Sequence, residues 1–133
     1  DRPDVEALSN RACAQLYGLD VLKRDVQDRD DNYTRFACIS KSLEVYPGAD
    51  RTSLMIVVDH RPGTLFKVLA KFYALDINII KLESRPIPGR DFEFMFYFDV
   101  ECPVTAPEFR TLMATIGDAC EECRYLGSYS EVL

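Results

Sequence analysis

Two short segments carry the residues whose types and spacing could do chemistry. In Asp59-His60-Arg61-Pro62-Gly63-Thr64-Leu65 a glycine stands where a strand pattern gives way to a helical one. Backbone N–H groups at a helix start, with no Cβ in the way, make a natural carboxylate site, although a plain tight turn asks for the same glycine. Glu83-Ser84-Arg85-Pro86 closes a second strand pattern. Neighbours along a strand alternate faces, so Glu83 and Arg85 share one side, Ser84 takes the other, and Pro86 stops the ladder. A solvated rim has that look as well. His60 is the only histidine and has no ligand spaced with it, so it is expected neither to bind metal nor to act as a base. Cys120-Glu121-Glu122-Cys123 has redox spacing, but a redox pair wants its first thiol at a helix start, and this one straddles a helix end among acids. Zinc would need two further ligands, and only Cys102 and His60 are candidates. No metal and no cofactor are expected.

The elements that must position these segments follow from periodicity. Residues 52–59 form a nearly continuous β-branched and apolar run, the mark of a strand buried on both faces. Leu65, Val68, Leu69 and Phe72 then recur at i, i+3, i+4 and i+7, which predicts a helix over 64–75. Residues 76–85 return to strand, 86–91 read as a turn, and residues 92–100 alternate Phe92, Phe94, Phe96 and Phe98 against Glu93, Met95, Tyr97 and Asp99. Those four phenylalanines are expected to pack under the helices. Thr105 and Glu108, with Pro107 between them, predict a capping box opening a helix through Phe109, Leu112, Met113 and Ile116. That helix should end within 117–121, and residues 122–129 read as a last strand. The order β-α-β-β-α-β is the split βαβ of ferredoxin-like folds, an α+β class with an antiparallel sheet and two helices on one face. The other face carries Met55, Val57, Met95 and Tyr97, which look too apolar for open water and suggest a sheet-mediated or edge-mediated dimer.

Upstream the signal is thinner. Val5, Leu8, Ala12, Leu16 and Leu19 mark one helical face over residues 3–19, stopping around Gly18. Residues 34–40 read as a strand after the acidic run Asp28, Asp30, Asp31, and Pro47-Gly48 mark a turn, so residues 41–49 are taken as a linker between 1–40 and 50–133.

Composition narrows the function classes. The 133 residues carry 16 basic and 22 acidic groups, a net charge of −6, which argues against a sequence-independent nucleic-acid binder. An RNA-recognition domain shares this element order and stacks bases on strand aromatics, but here the face opposite the phenylalanines carries Glu93 and Asp99. No apolar run approaches the roughly 20 residues of a membrane span. Five cysteines, an odd number without framework spacing, suit free thiols in a reducing compartment. The chain opens on Asp1 with no signal-like stretch, so it reads as a trimmed cytoplasmic fragment.

The two segments together resemble the ligand-binding motifs of an ACT domain, specifically the regulatory domain of prephenate dehydratases. Arg-Pro-Gly-Thr-Leu (61–65), followed by Leu69, is similar to that family's glycine-alanine-leucine motif. Glu-Ser-Arg-Pro (83–86) is its second signature, and Leu126-Gly127-Ser128-Tyr129 resembles the family's end. Upstream, the helix ending Leu16-Tyr17-Gly18-Leu19 and the stretch Asn32-Tyr33-Thr34-Arg35-Phe36 resemble the last part of the catalytic domain. Two positions depart from the pattern: Thr64 stands where the motif has alanine, and Ser130 where a proline follows the closing tyrosine.

What the resemblance implies is specific. The parent would convert prephenate to phenylpyruvate with loss of water and CO₂, and whether a chorismate mutase domain precedes it is left open. The ACT domain would bind L-phenylalanine as feedback effector at a homodimer interface, between Pro62, Gly63, Thr64 and Leu65 of one subunit and Glu83, Ser84, Arg85 and Pro86 of its neighbour. Thr34, with Arg35 and Phe36, would belong to an incomplete catalytic site, inactive in this chain alone. The alternative is an ACT-like dimerisation module whose ligand site Thr64 has blunted.

Overall fold

A computed structural model describes residues 5–29, 31, 33–90 and 93–131. Contacts divide the chain into two units, residues 1–38 and residues 39–133.

The second unit holds the regular structure. Its order is β1 (Arg51–Val57), α2 (Thr64–Ala74), β2 (Asn78–Pro86), β3 (Phe94–Glu101), α3 (Pro107–Thr115) with a 3₁₀ turn (Ile116–Asp118), and β4 (Glu122–Tyr129), α1 being kept for the helix upstream. The strands form one antiparallel sheet in the order β2-β3-β1-β4. Both central strands face the helices through alternate residues, Leu54 and Ile56 from β1 and Phe98 and Val100 from β3, and these pack on Val68 and Phe72 of α2 and Phe109 and Leu112 of α3. Phe72 and Phe98 stack with ring centroids 5.1 Å apart. Burial of such side chains, at roughly 1.5–3 kcal/mol each, is what fixes the helices over one sheet face.

The phenylalanine alternation is therefore a core signal, as expected, but only in part. Phe98 is fully buried and Phe96 packs against the core, while Phe94 is 42% exposed where the strand leaves the helices; Phe92 lies outside the described residues. The capping box does not form. Ala106 is the N-cap, without a side-chain hydrogen bond, and Pro107 takes the first helical position, so Thr105 stands one residue too early to reach the helix's free N–H groups.

The opposite sheet face is already partly covered within a single chain. Met55 and Val57 are only 7% exposed within a single chain, and Met95 and Tyr97 are half-buried. The flanking strands supply Lys81, Glu83 and Arg85 on one side and Glu122 and Arg124 on the other, and the aliphatic stems of such charged side chains cover apolar surface while their heads stay wet. Water exclusion there does not by itself require a partner.

In the first unit, α1 spans only Arg11–Tyr17. Asn10 caps it, accepting a hydrogen bond from the Cys13 N–H at 3.0 Å, and Gly18 closes it in the left-handed region at φ 62°. The expected helix over 3–19 is thus shorter: residues 5–10 are not helical, and 1–4 lie outside the described residues. No residue of α1 is buried. Residues 34–40 form no strand, and Phe36 is 87% exposed. An extended segment becomes a strand only where a neighbour accepts and donates along its length, and among the described residues no strand pairs with this one. Asp30 and Asn32 lie outside the described residues. Downstream, Pro47 and Gly48 form the expected turn, closed by Ala49 N–H donating to the Tyr46 carbonyl at 3.2 Å. Among the described residues no helix is long and apolar enough to cross a membrane.

Candidate functional site

Gly63 is the hinge of the first segment. It sits at φ 83°, the left-handed region that a side chain disfavours, and it is the residue from which α2 starts. A Cβ added there would meet nothing within 4 Å, so the space above this backbone is open. The N–H groups of Leu65 and Phe66 belong to the first helical turn and have no acceptor within the helix. Thr64, the residue that departs from the motif, turns its hydroxyl inward: Oγ1 lies 2.8 Å from the Asp59 carbonyl and 2.9 Å from that of Arg61, and its one proton donates to either. The β-branch thereby ties the loop 59–64 to itself. Arg61 and Asp59 also form an ion pair.

A cleft of about 290 Å³ opens beside this loop. One wall is Asp59, Arg61, Pro62, Thr64 and Lys67, and the other is residues 118–121. The Glu121 N–H donates to the Val57 carbonyl at 2.9 Å, which holds that second wall against the end of β1. Sequence reasoning missed Asp59, Arg61 and Lys67 as cleft residues; the i, i+2 spacing of Asp59 and Arg61 was the one available signal. Cys120 lines the cleft too, with Sγ 3.2 Å from the Ile116 carbonyl. Burial pushes its thiol up, and burial together with the neighbouring Cys120 pushes Cys123 up to about 11. Both hold their protons at neutral pH, the opposite of what a reactive dithiol needs. His60 is exposed, and among the described residues no cluster of three His, Cys, Asp or Glu could hold a metal.

The second segment ends β2, an edge strand. Register places Glu83 opposite Tyr97 and Arg85 opposite Met95 on the open face, and Ser84 opposite Phe96 and Pro86 opposite Phe94 on the helix side. The alternation read from the sequence is the alternation observed. Glu83 is paired with Lys81 at 2.9 Å and with Arg85, and the Lys81 hydrogen bond, then the Arg85 charge, hold its carboxyl below the usual range. A second cleft, about 340 Å³, runs across the open face past Ser53, Lys81, Glu83, Arg85, Tyr97 and Leu126.

The two segments stand at the same end of the sheet. Arg85 pairs with Met95, and Met95 pairs with Val57, the last residue of β1 before the loop. Two interstrand spacings, about 10 Å, therefore separate the end of β1, which leads into the loop, from the end of β2, with β3 between. Neither cleft contains residues of both. Thr34, Arg35 and Phe36 lie in the other unit, all exposed.

Comparison with known proteins bears on both units. Residues 1–44 match the family model for prephenate dehydratase and residues 52–116 that for the ACT domain. A bifunctional chorismate mutase/prephenate dehydratase of Aquifex aeolicus is 33% identical over 96% of this chain and 35% of its own length. An arogenate dehydratase/prephenate dehydratase of Arabidopsis thaliana, described as chloroplastic, is 33% identical over 95% of this chain and 36% of its own length. The chain thus spans about a third of the curated relatives it matches. Among solved structures, the prephenate dehydratase of Arthrobacter aurescens in complex with L-Phe is 26% identical with a TM-score of 0.59, covering 69% of this chain and 30% of that one.

Proposed function

Because the chain is the C-terminal region of a prephenate dehydratase, the end of the dehydratase domain followed by an ACT domain, we propose that residues 50–133 bind L-phenylalanine and report its level to the catalytic domain of the parent. The observation that supports this most is the shared position of the Gly63 loop and the 83–86 segment at one end of the sheet, in a chain similar to a dehydratase crystallised with L-Phe. Within one chain β3 stands between the end of β1, which leads into the loop, and the end of β2, roughly 10 Å apart, which favours a ligand bridging two copies: the loop of one subunit and the strand end of its neighbour. The carboxylate would meet the first-turn N–H groups beyond Gly63, where the helix dipole favours an anion, and the ring would lie against Leu65. A ligand that bridges subunits favours one arrangement of the homodimer, and a coupling of about 1–3 kcal/mol is ordinary for such an effector.

The parent activity proposed is loss of water and CO₂ from prephenate. Thr34 would donate to the departing hydroxide and Arg35 would hold a substrate carboxylate, but with the rest of the domain absent this chain alone should form no phenylpyruvate. The five free thiols suit a reducing setting such as the cytoplasm.

A thermal-shift scan across the amino acids tests the reading. Free L-phenylalanine at about 100 times its dissociation constant should add roughly 2.7 kcal/mol of stability. Equal stabilisation by all of them, or none by phenylalanine, would leave the dimerisation module without a ligand site as the better account.

A further inference from the structure

Three connections meet at the end of the sheet that carries the two effector segments: the loop after β1, the β2–β3 hairpin and the connection into β4. The hairpin continues directly from Pro86. Its turn is closed by the Ile87 N–H donating to the Glu93 carbonyl at 3.0 Å and the Arg90 N–H donating to the Ile87 carbonyl at 3.1 Å. The Arg90 guanidinium reaches two carboxylates. Nη1 donates to Glu93 within the hairpin at 3.0 Å and lies 3.7 Å from Glu121, in the far wall of the cleft beside the Gly63 loop. Sheet order puts β1 between β3 of the hairpin and β4, so this second contact bridges across β1 where it leaves the sheet for the loop. Glu121 is itself pinned there, its N–H donating to the Val57 carbonyl at 2.9 Å. Among the described residues, Arg90–Glu121 is the one ion pair that joins the hairpin to the 118–121 wall.

We infer that the Arg90–Glu121 pair is a strap that couples the two effector segments of one chain and, through them, the two phenylalanine sites of a dimer. The inference rests on the shared-site reading above, in which each chain gives its Gly63 loop to one site and its 83–86 segment to the other. The two sites then communicate through whatever ties those segments together within a chain. A ligand held at the strand end biases the position of the hairpin, Arg90 carries that bias to Glu121, and Glu121 is bonded to the last residue of β1 and faces the loop across the cleft. One bound phenylalanine touches the loop of one chain and the strand end of the other, so it sets the strap in both. The second phenylalanine meets segments already placed, and the coupling is positive. Its size is bounded by exposure. Arg90 keeps 55% of its side-chain surface and Glu121 44%, and an exposed pair of this kind supports a coupling of about two- to five-fold. Arg90 is a positioning residue and touches no ligand.

Titration calorimetry of the full chain with L-phenylalanine tests it. In the unmodified chain the second phenylalanine should bind about two- to five-fold more tightly than the first once the statistical factor is removed. Glu121→Gln, which keeps the backbone bond to Val57, and Arg90→Gln should each make the two steps equal, and combining them should change nothing further. Glu93→Gln removes only the pair within the hairpin and should leave the steps unequal, and Arg90→Lys should keep part of the difference. A merely structural role would instead weaken both steps together. Steps that stay unequal in Glu121→Gln, with circular dichroism unchanged, would overturn the strap. Equal steps in the unmodified chain would overturn it too, while leaving phenylalanine binding itself standing. An unmodified chain that binds no phenylalanine at all would remove the shared site, and the strap with it.

Discussion

At the scale of single residues, Gly63 and Thr64 do separable jobs. Gly63 holds a φ of 83° in open space, so a methyl there meets no atom and costs only backbone strain. Gly63→Ala should therefore lower stability by about 1 kcal/mol, a few degrees in melting temperature for a domain of this size, while weakening phenylalanine binding more than that strain accounts for. Thr64→Ala removes a hydroxyl already bonded to the Asp59 and Arg61 carbonyls. It should cost about 0.5–1.5 kcal/mol and leave calorimetric affinity no tighter, whereas a marked gain in affinity would show that the threonine blocks the site. The cysteines make a third case. Cys123 ionises at about 11 in the fold against an ordinary 9.0, because burial disfavours the thiolate. Its contribution to stability is thus complete below about pH 9 and is lost as pH rises through 11, since the unfolded thiol ionises first. Denaturation between those limits should show a falling stability that Cys123→Ala flattens, and alkylation at pH 8 should reach exposed Cys38 well before Cys120 or Cys123.

At the scale of elements, β1 is held at its start by polar groups rather than apolar ones. Thr52 is fully buried; its hydroxyl lies 2.7 Å from the Cys102 carbonyl and 2.8 Å from Ser128 Oγ, which accepts from the Tyr125 hydroxyl at 2.9 Å. Thr52→Val keeps the shape and leaves that carbonyl without its donor, so urea unfolding should report a loss of about 1–3 kcal/mol. This network could not be read from the sequence, because its members lie 50 and 76 positions apart and nothing local marks them. What was readable had a short-range cause. Phe98 and Val100 alternate because one sheet face is buried, and Leu65 to Phe72 repeat because one helix stripe is. Thr105 misled for the converse reason: a cap depends on one residue's placement, and Pro107 already fixes the helix start one position later.

At the scale of the molecule, the two units differ in how far their own residues can fold them. The ferredoxin-like unit buries its stripe against its own sheet. The stripe read over Val5, Leu8, Leu16 and Leu19 is exposed, α1 is shorter than the roughly 12 residues an isolated helix needs, and Tyr33 and Phe36 face water. Apolar periodicity reports that a face is meant to be covered, not that the covering residues are present, and relatives of this chain are about three times its length. The site was legible in the same divided way. Its two segments stood out by composition, yet their placement at one end of the sheet, separated by β3, came only from register. That separation is also what makes the central claim testable. Two variants, Gly63→Ala in the loop and a combined Ser84→Ala/Arg85→Ala in the strand end, should each abolish phenylalanine binding when alone. Mixed in equal amounts and allowed to exchange subunits, half the dimers are hybrids, each with one intact site of two, so calorimetric titration should recover about a quarter of the original binding capacity. A mixture that binds no phenylalanine, while its unmodified parent binds it fully, would contradict a site shared between subunits.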